Sequence, residues 1–144
     1  MSEAYLLDTT AILALYRDEQ GADIVEGIFE KRERGEAEVL VSSVTLFEMM
    51  YLAISEQGQD KAFRFFLDIR SLDMQEVWPD EATLWRAAQL KQVGLTDSGA
   101  LTAACASAKG AVLVHKRPEY CELEETHDMR MGVKTLDVSS CGGL

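Results

Sequence analysis

The stretch Ala4-Tyr5-Leu6-Leu7-Asp8-Thr9-Thr10, running on into Ala11-Ile12-Leu13-Ala14-Leu15, decides how the chain is read. Four apolar residues end at a carboxylate, two hydroxyls follow, and a helix-like apolar run comes next. That pattern reads as a buried strand delivering Asp8 to its carboxyl end, where an open α/β sheet places its chemistry. A carboxylate just past four apolar residues is costly to bury unless a positive or hydrogen-bonding group meets it. Glu48 and Asp97 sit in similar settings further along, and a shared divalent cation is the simplest explanation of all three. The competing reading is structural: Asp8 caps the helix that follows, with Thr9 or Thr10 helping.

Working outward, strands and helices alternate. Residues 9–17 read as a short helix, 18–21 as a turn, and 22–34 as a second helix closing on Lys31, Arg32, Arg34 and Gly35. Basic residues there complement the helix dipole, and the favoured reading is a solvated helix end. Ala37–Val41 is a strand. Ser42 or Ser43 opens a helix to about Gln57 whose apolar residues are Val44, Leu46, Phe47, Met50, Leu52 and Ile54. Glu48 falls about one turn into it, near where Asp8 emerges; the competing reading is an exposed glutamate, with Phe47 and Met50 holding the buried face. Residues 59–70 form an amphipathic helix through Ala62, Phe63, Phe66, Leu67 and Ile69, with the aromatics read as core.

Residues 72–77 fit a short edge strand, and Pro79 starts a helix over 79–92. Thr96 caps the next helix and Asp97 lies in its first turn, where the dipole favours a carboxylate. From Ala100 to Ala108 this helix is built of small residues, which suits a central helix packed closely on a sheet. Gly110–Val114 is a buried parallel strand, followed by His115 and an acidic stretch over 121–128 read without an element. A last strand spans 133–138, and 141–144 read as a flexible tail to a single domain over residues 1–140. His115 and His127 read as solvated residues rather than metal ligands.

With 144 residues, 47% hydrophobic and 27% charged, the chain is long enough for one core and too apolar to be disordered. No apolar run reaches the ~20 residues of a membrane span, and no secretory leader is evident. A net charge of -11 argues against a broad electrostatic grip on nucleic acid. It leaves room for a nucleic-acid enzyme, because metal-binding carboxylates contribute negative charge that an ion offsets. Cys105, Cys121 and Cys141 make neither a CxxC pair nor zinc spacing, so a reducing cytoplasm is the expected compartment. There is no GxGxxG, no GxxxxGK[ST] and no nucleophile elbow. What remains is the carboxylate set Asp8, Glu48 and Asp97, whose oxygens suit Mg²⁺ or Mn²⁺ and phosphodiester hydrolysis.

These residues together resemble a PIN domain, the small ribonuclease fold of VapC-type toxins. The resemblance rests on Leu6-Leu7-Asp8-Thr9-Thr10-Ala11-Ile12, Ser42-Ser43-Val44-Thr45-Leu46-Phe47-Glu48, Leu95-Thr96-Asp97-Ser98-Gly99-Ala100-Leu101-Thr102-Ala103-Ala104 and the closing segment Val112–Tyr120. It spans about residues 4–138, and four motifs in order carry more weight than any one. It implies a three-layer α/β/α sandwich with a mostly parallel sheet of about five strands. It further implies Mg²⁺ or Mn²⁺ held by Asp8, Glu48 and Asp97 for RNA cleavage, with Thr9 and Thr10 supporting the site. A small antitoxin and a homodimer are the partners it implies.

One departure stands out. The family commonly carries an aspartate after the fourth strand, and this chain has Arg117 there, which shifts the site's charge by about two units. Arg117 either pairs with Asp97 or Glu48 and weakens a second metal position, or holds a substrate phosphate. Glu119 has the chemistry to replace the missing acid. The leading expectation is therefore a metal-dependent endoribonuclease of the toxin type. The alternative is a catalytically weakened PIN-like module that binds protein or RNA. A phosphatase or phosphotransfer protein is a third class, which would need a phosphoryl-accepting aspartate.

Overall fold

Strand β1 (Glu3–Leu7) lies at the centre of a five-stranded sheet in the computed structural model, which describes residues 3–125 and 133–139. On one side β1 pairs with β2 (Ala37–Ser42), which pairs with β3 (Gln75–Val77). On the other it pairs with β4 (Val112–His115), followed by β5 (Lys134–Asp137). The order is β3-β2-β1-β4-β5 and every pairing is parallel, so the expected mostly parallel sheet is wholly so. All the carboxyl ends therefore lie along one edge. The order reverses at β1, which opens the crevice where such sheets hold their ligands.

Alternation along β1 divides the core. Tyr5 and Leu7 pack with Val39, Val41 and Val114 into one apolar cluster, while Leu6 joins Leu40, Leu113 and Val77 in the other. The first is covered by α1 (Thr9–Tyr16), α2 (Ala22–Glu33), α3 (Ser43–Gln57) and α4 (Gln59–Arg70). The second is covered by α5 (Glu81–Lys91), α6 (Asp97–Ala108) and α7 (Pro118–Glu125). This is the three-layer α/β/α sandwich. Helix α6 buries Gly99, Ala100, Thr102, Ala103, Ala104, Cys105 and Ala106, the close approach its small residues anticipated. A Cβ at Gly99 would stand 3.0 Å from the Thr96 hydroxyl and 3.3 Å from that of Tyr120, so α7 packs closely over the start of α6. Among the described residues no helix is long and apolar enough to cross a membrane.

Several details differ from the sequence reading. In α3 the buried residues are Thr45, Leu46, Met49 and Ala53, and Phe47 is 69% exposed. In α4 the buried stripe is Ala62, Phe65 and Ile69, leaving Phe63 and Leu67 outside, so Phe63 is not core. A run of closely spaced apolar residues fixes a helix but not which stripe faces the sheet. Helix α5 begins at Glu81 behind an Asp80 cap rather than at Pro79. The strand expected over 72–77 is reduced to 75–77, and α7 occupies part of the acidic stretch read without an element. His115 is fully buried and not solvated, because α7 covers the end of β4 and sets Tyr120 edge-on to the imidazole, 4.9 Å between centroids. The basic group ending α2 is structural: Arg32 donates to the carbonyls of Leu72 and Asp73, and Arg34 pairs with Glu36. The 141–144 tail and His127 lie outside the described residues.

The turn into α2 is tightly set. Gly21 has φ of +98°, and an added Cβ would stand 2.8 Å from the carbonyl oxygen of Val138. Gly21→Ala combines a left-handed backbone with a clash and is expected to cost at least about 1 kcal/mol in chemical denaturation. An unchanged midpoint would show that α2 and the segment after β5 separate more easily than this packing implies.

Candidate active site

Asp8 emerges from β1 at the sheet's reversal, with its amide donating to the Val114 carbonyl of β4 at 3.1 Å. It is 2% exposed. Both readings of this residue hold at once, one for each oxygen. Oδ1 accepts from the Ala11 amide at 2.9 Å and from the Thr10 hydroxyl at 2.6 Å, which caps α1. Thr10 is itself held, its Oγ1 accepting from the Lys116 amide at 2.9 Å. Oδ2 is buried and makes no hydrogen bond. What meets it is a charge: Nε of Arg117, 3.7 Å away.

Glu48 is reached from the other side of the same guanidinium, whose Nη2 lies 3.6 Å from Oε1. The Glu48 carboxylate is oriented by two hydroxyls, Thr9 donating to Oε1 and Ser98 donating to Oε2 at 2.9 Å. Glu48 thus points into the sheet's crevice, while Phe47, expected on the buried face, points out. Four segments meet here: the β1–α1 junction, α3, the first turn of α6, and the loop after β4. Ser98 was not among the expected site residues. Its signal was only its place beside Asp97 at a helix start, which many serines share.

Asp97 stands apart. Its side chain is 81% exposed and its carboxylate pairs with Lys91 at 2.7 Å, on the rim rather than beside Asp8 and Glu48. An exposed pair of this kind adds little stability and holds the side chain weakly. Glu119 lies exposed in the first turn of α7. Among the described residues no group of three His, Cys, Asp or Glu is gathered closely enough to hold a metal ion. Arg117 pairs with Asp8 and Glu48, and its backbone amide donates to Nδ1 of His115 at 3.0 Å, which seats the start of its loop on a buried ring.

The donor chemistry fits a hard divalent cation at Asp8 and Glu48. Both are carboxylates oriented by hydroxyls, and the buried Oδ2 of Asp8 lacks a hydrogen bond. Burial pushes the Asp8 carboxyl up to about 6, against the opposing pull of Thr10, Ala11 and Arg117. Burial also pushes the Tyr120 hydroxyl upward, with Asp8 adding to the effect, so this phenol stays protonated beneath the site.

Raising Asp8 from 3.8 to about 6 makes its ionisation in the metal-free fold unfavourable. The stability this group contributes is full below the unfolded value, and it is lost as pH climbs through the folded one. The loss approaches about 3 kcal/mol and levels off above about pH 6. Urea denaturation in EDTA from pH 4 to 8 should show this fall in the wild type and its absence in Asp8→Asn. Parallel profiles for the two proteins would contradict it.

Residues 5–124 match the family described as PIN domain. Similar solved structures include VapBC2 from Rickettsia felis bound to a DNA fragment from their promoter, with TM-score 0.69 and 17% identity over 93% of this chain and 98% of that one. DNA-bound VapBC from Salmonella typhimurium gives TM-score 0.69 and 19% identity, covering 95% and 98%. PAE2754 from Pyrobaculum aerophilum gives 0.63 and 19%, covering 97% and 93%. At these identities the likeness is one of fold. No curated protein matches the sequence.

Proposed function

The chain belongs to the PIN-domain family, and from that premise we propose that it is a metal-dependent endoribonuclease, the toxin of a toxin–antitoxin pair. The observation that carries this reading is the buried, hydrogen-bond-free Oδ2 of Asp8, sharing one guanidinium with Glu48 at the reversal of a parallel sheet. Asp8 and Glu48 would hold Mg²⁺ or Mn²⁺, with Asp97 contributing from the rim. The bound ion would supply an activated water and charge stabilisation on the phosphate. Thr10 and the Ala11 amide fix Asp8 through Oδ1, leaving Oδ2 for the ion, while Thr9 and Ser98 aim Glu48. Such outer hydrogen bonds orient ligands at metal sites. Glu119 is proposed only as a further acid near the rim.

A second reading, a PIN-like module with weakened catalysis that binds protein or RNA, is favoured by Arg117 and its pairing with both acids. The partners proposed are RNA, a small antitoxin and a second copy of the chain, in the cytoplasm. A toxin–antitoxin complex from Klebsiella pneumoniae, similar in fold with TM-score 0.56 and 18% identity, supports a protein partner. So do exposed apolar side chains on both outer layers, Phe63 on α4 and Tyr51 on α3 on one side of the sheet and Trp85 on α5 on the other.

Cleavage of a mixed single-stranded RNA pool tests the leading reading. Activity should appear with Mg²⁺ or Mn²⁺, vanish in EDTA, and fall at least about a hundredfold in Asp8→Asn. Metal-dependent cleavage undiminished in that variant would end the proposal. An inactive wild type together with an active Arg117→Asp would establish the second reading instead. Sedimentation of the purified chain should show a dimer, and a monomer at micromolar concentration would remove the second copy from the proposed partners.

A further inference from the structure

The cation already in the carboxylate site belongs to the chain. Arg117 has a side chain only 26% exposed, and it stands between the 3%-exposed Asp8 side chain and the partly buried Glu48. We infer that Arg117 is a tethered counter-cation, one that holds the metal-free site together and that a divalent ion must displace from between Asp8 and Glu48. This rests on the reading above that these two acids take the metal.

Three features of the geometry support it. First, the contacts are electrostatic rather than hydrogen-bonded. Guanidinium and carboxylate normally close to about 2.7–2.9 Å in a forked pair. Here the approaches are 3.7 Å to Asp8 and 3.6 Å to Glu48, so the head group neutralises both acids without locking onto either. A loosely seated charge is displaced more readily than a bidentate one.

Second, neither acid depends on Arg117 for its orientation. Asp8 is fixed through Oδ1 by Thr10 and Ala11, and Glu48 by Thr9 and Ser98. The ligand oxygens therefore stay in place when the guanidinium leaves. The anchor of Arg117 is its backbone amide on His115 Nδ1, which leaves the side chain as the moving part.

Third, the charges favour exchange over coexistence. Asp8, Glu48 and Arg117 together carry one net negative charge, and adding a dication beside a retained guanidinium would place like charges within a few ångströms in a partly buried crevice. Removing the guanidinium is expected to tighten metal binding at least about tenfold.

Calorimetric titration of Mn²⁺ into wild-type, Arg117→Gln and Asp8→Asn protein tests the inference without reference to turnover. Arg117→Gln should bind Mn²⁺ at least about tenfold more tightly than wild type. Its metal-free form should melt at a lower temperature at pH 7.5, and Mn²⁺ should restore more of that loss than it adds to the wild type. An affinity equal to or weaker than wild type overturns the inference. The Arg117 Nε–H resonance of the wild-type protein gives a check independent of any variant's folding. It should shift along the same Mg²⁺ saturation curve as binding, and a signal that stays fixed while Mg²⁺ binds overturns the displacement. Mn²⁺ binding lost in Asp8→Asn but equal in wild type and Arg117→Gln leaves the metal site standing and removes the counter-cation. No binding by any of the three proteins removes both.

Discussion

Asp8 brings a negative charge to the end of the central strand, and the fold accommodates only half of it with hydrogen bonds. One oxygen caps α1 through Ala11 and Thr10. The other is left to electrostatics, in a place where burial holds the carboxyl's pKa near 6. The rest of the site answers that imbalance. Glu48 turns inward instead of outward, Thr9 and Ser98 aim it, and Arg117 comes off β4 to lie between the two acids. A cap alone would not need this company, since an aspartate at the start of an exposed helix takes water at its second oxygen. The arrangement is that of a site kept charged inside a core.

Strand pattern and helix period were sufficient for the layers, because a parallel sheet demands continuous apolar strands and β1, β2 and β4 supply them. The acids were legible for the same reason: Asp8 interrupts such a run, and Glu48 follows a strand–helix junction at the distance that returns it to β1. The side-chain directions in α3 and α4 were not legible. Both helices carry more apolar residues than one face can bury, so Phe47 and Phe63 competed with Met49 and Phe65 for the sheet, and local sequence does not rank them. Helix α7 was missed because Pro118 and a run of glutamates resemble a loop, and with it the burial of His115 was missed. Five of the expected site residues, Asp8, Thr9, Thr10, Glu48 and Arg117, are brought together. Asp97 and Glu119 stand on the rim, in helix first turns where the dipole already gives a carboxylate a reason to be.

The outward apolar side chains of α3, α4 and α5 have no counterpart in the core and are not explained by the sheet. Tyr51, Phe63 and Trp85 are more than half exposed. Their placement on helices rather than loops makes both outer faces rigid, α3 with α4 on one side of the sheet and α5 on the other, and a rigid apolar surface loses less conformational freedom when a partner covers it.

The central position of β1 also bears on how the molecule comes together. Its register with β2 matches Leu6 to Leu40, whereas its register with β4 matches Leu7 to Val114, across most of the chain. Pairings so distant in sequence are slow to form and leave a strand edge open until they do. During synthesis β1 must wait for β4 before its second edge is satisfied, and β4 is followed at once by Arg117. The segment that closes the sheet over Asp8 is therefore the one that delivers the opposing charge, so burial and neutralisation arrive in a single folding event.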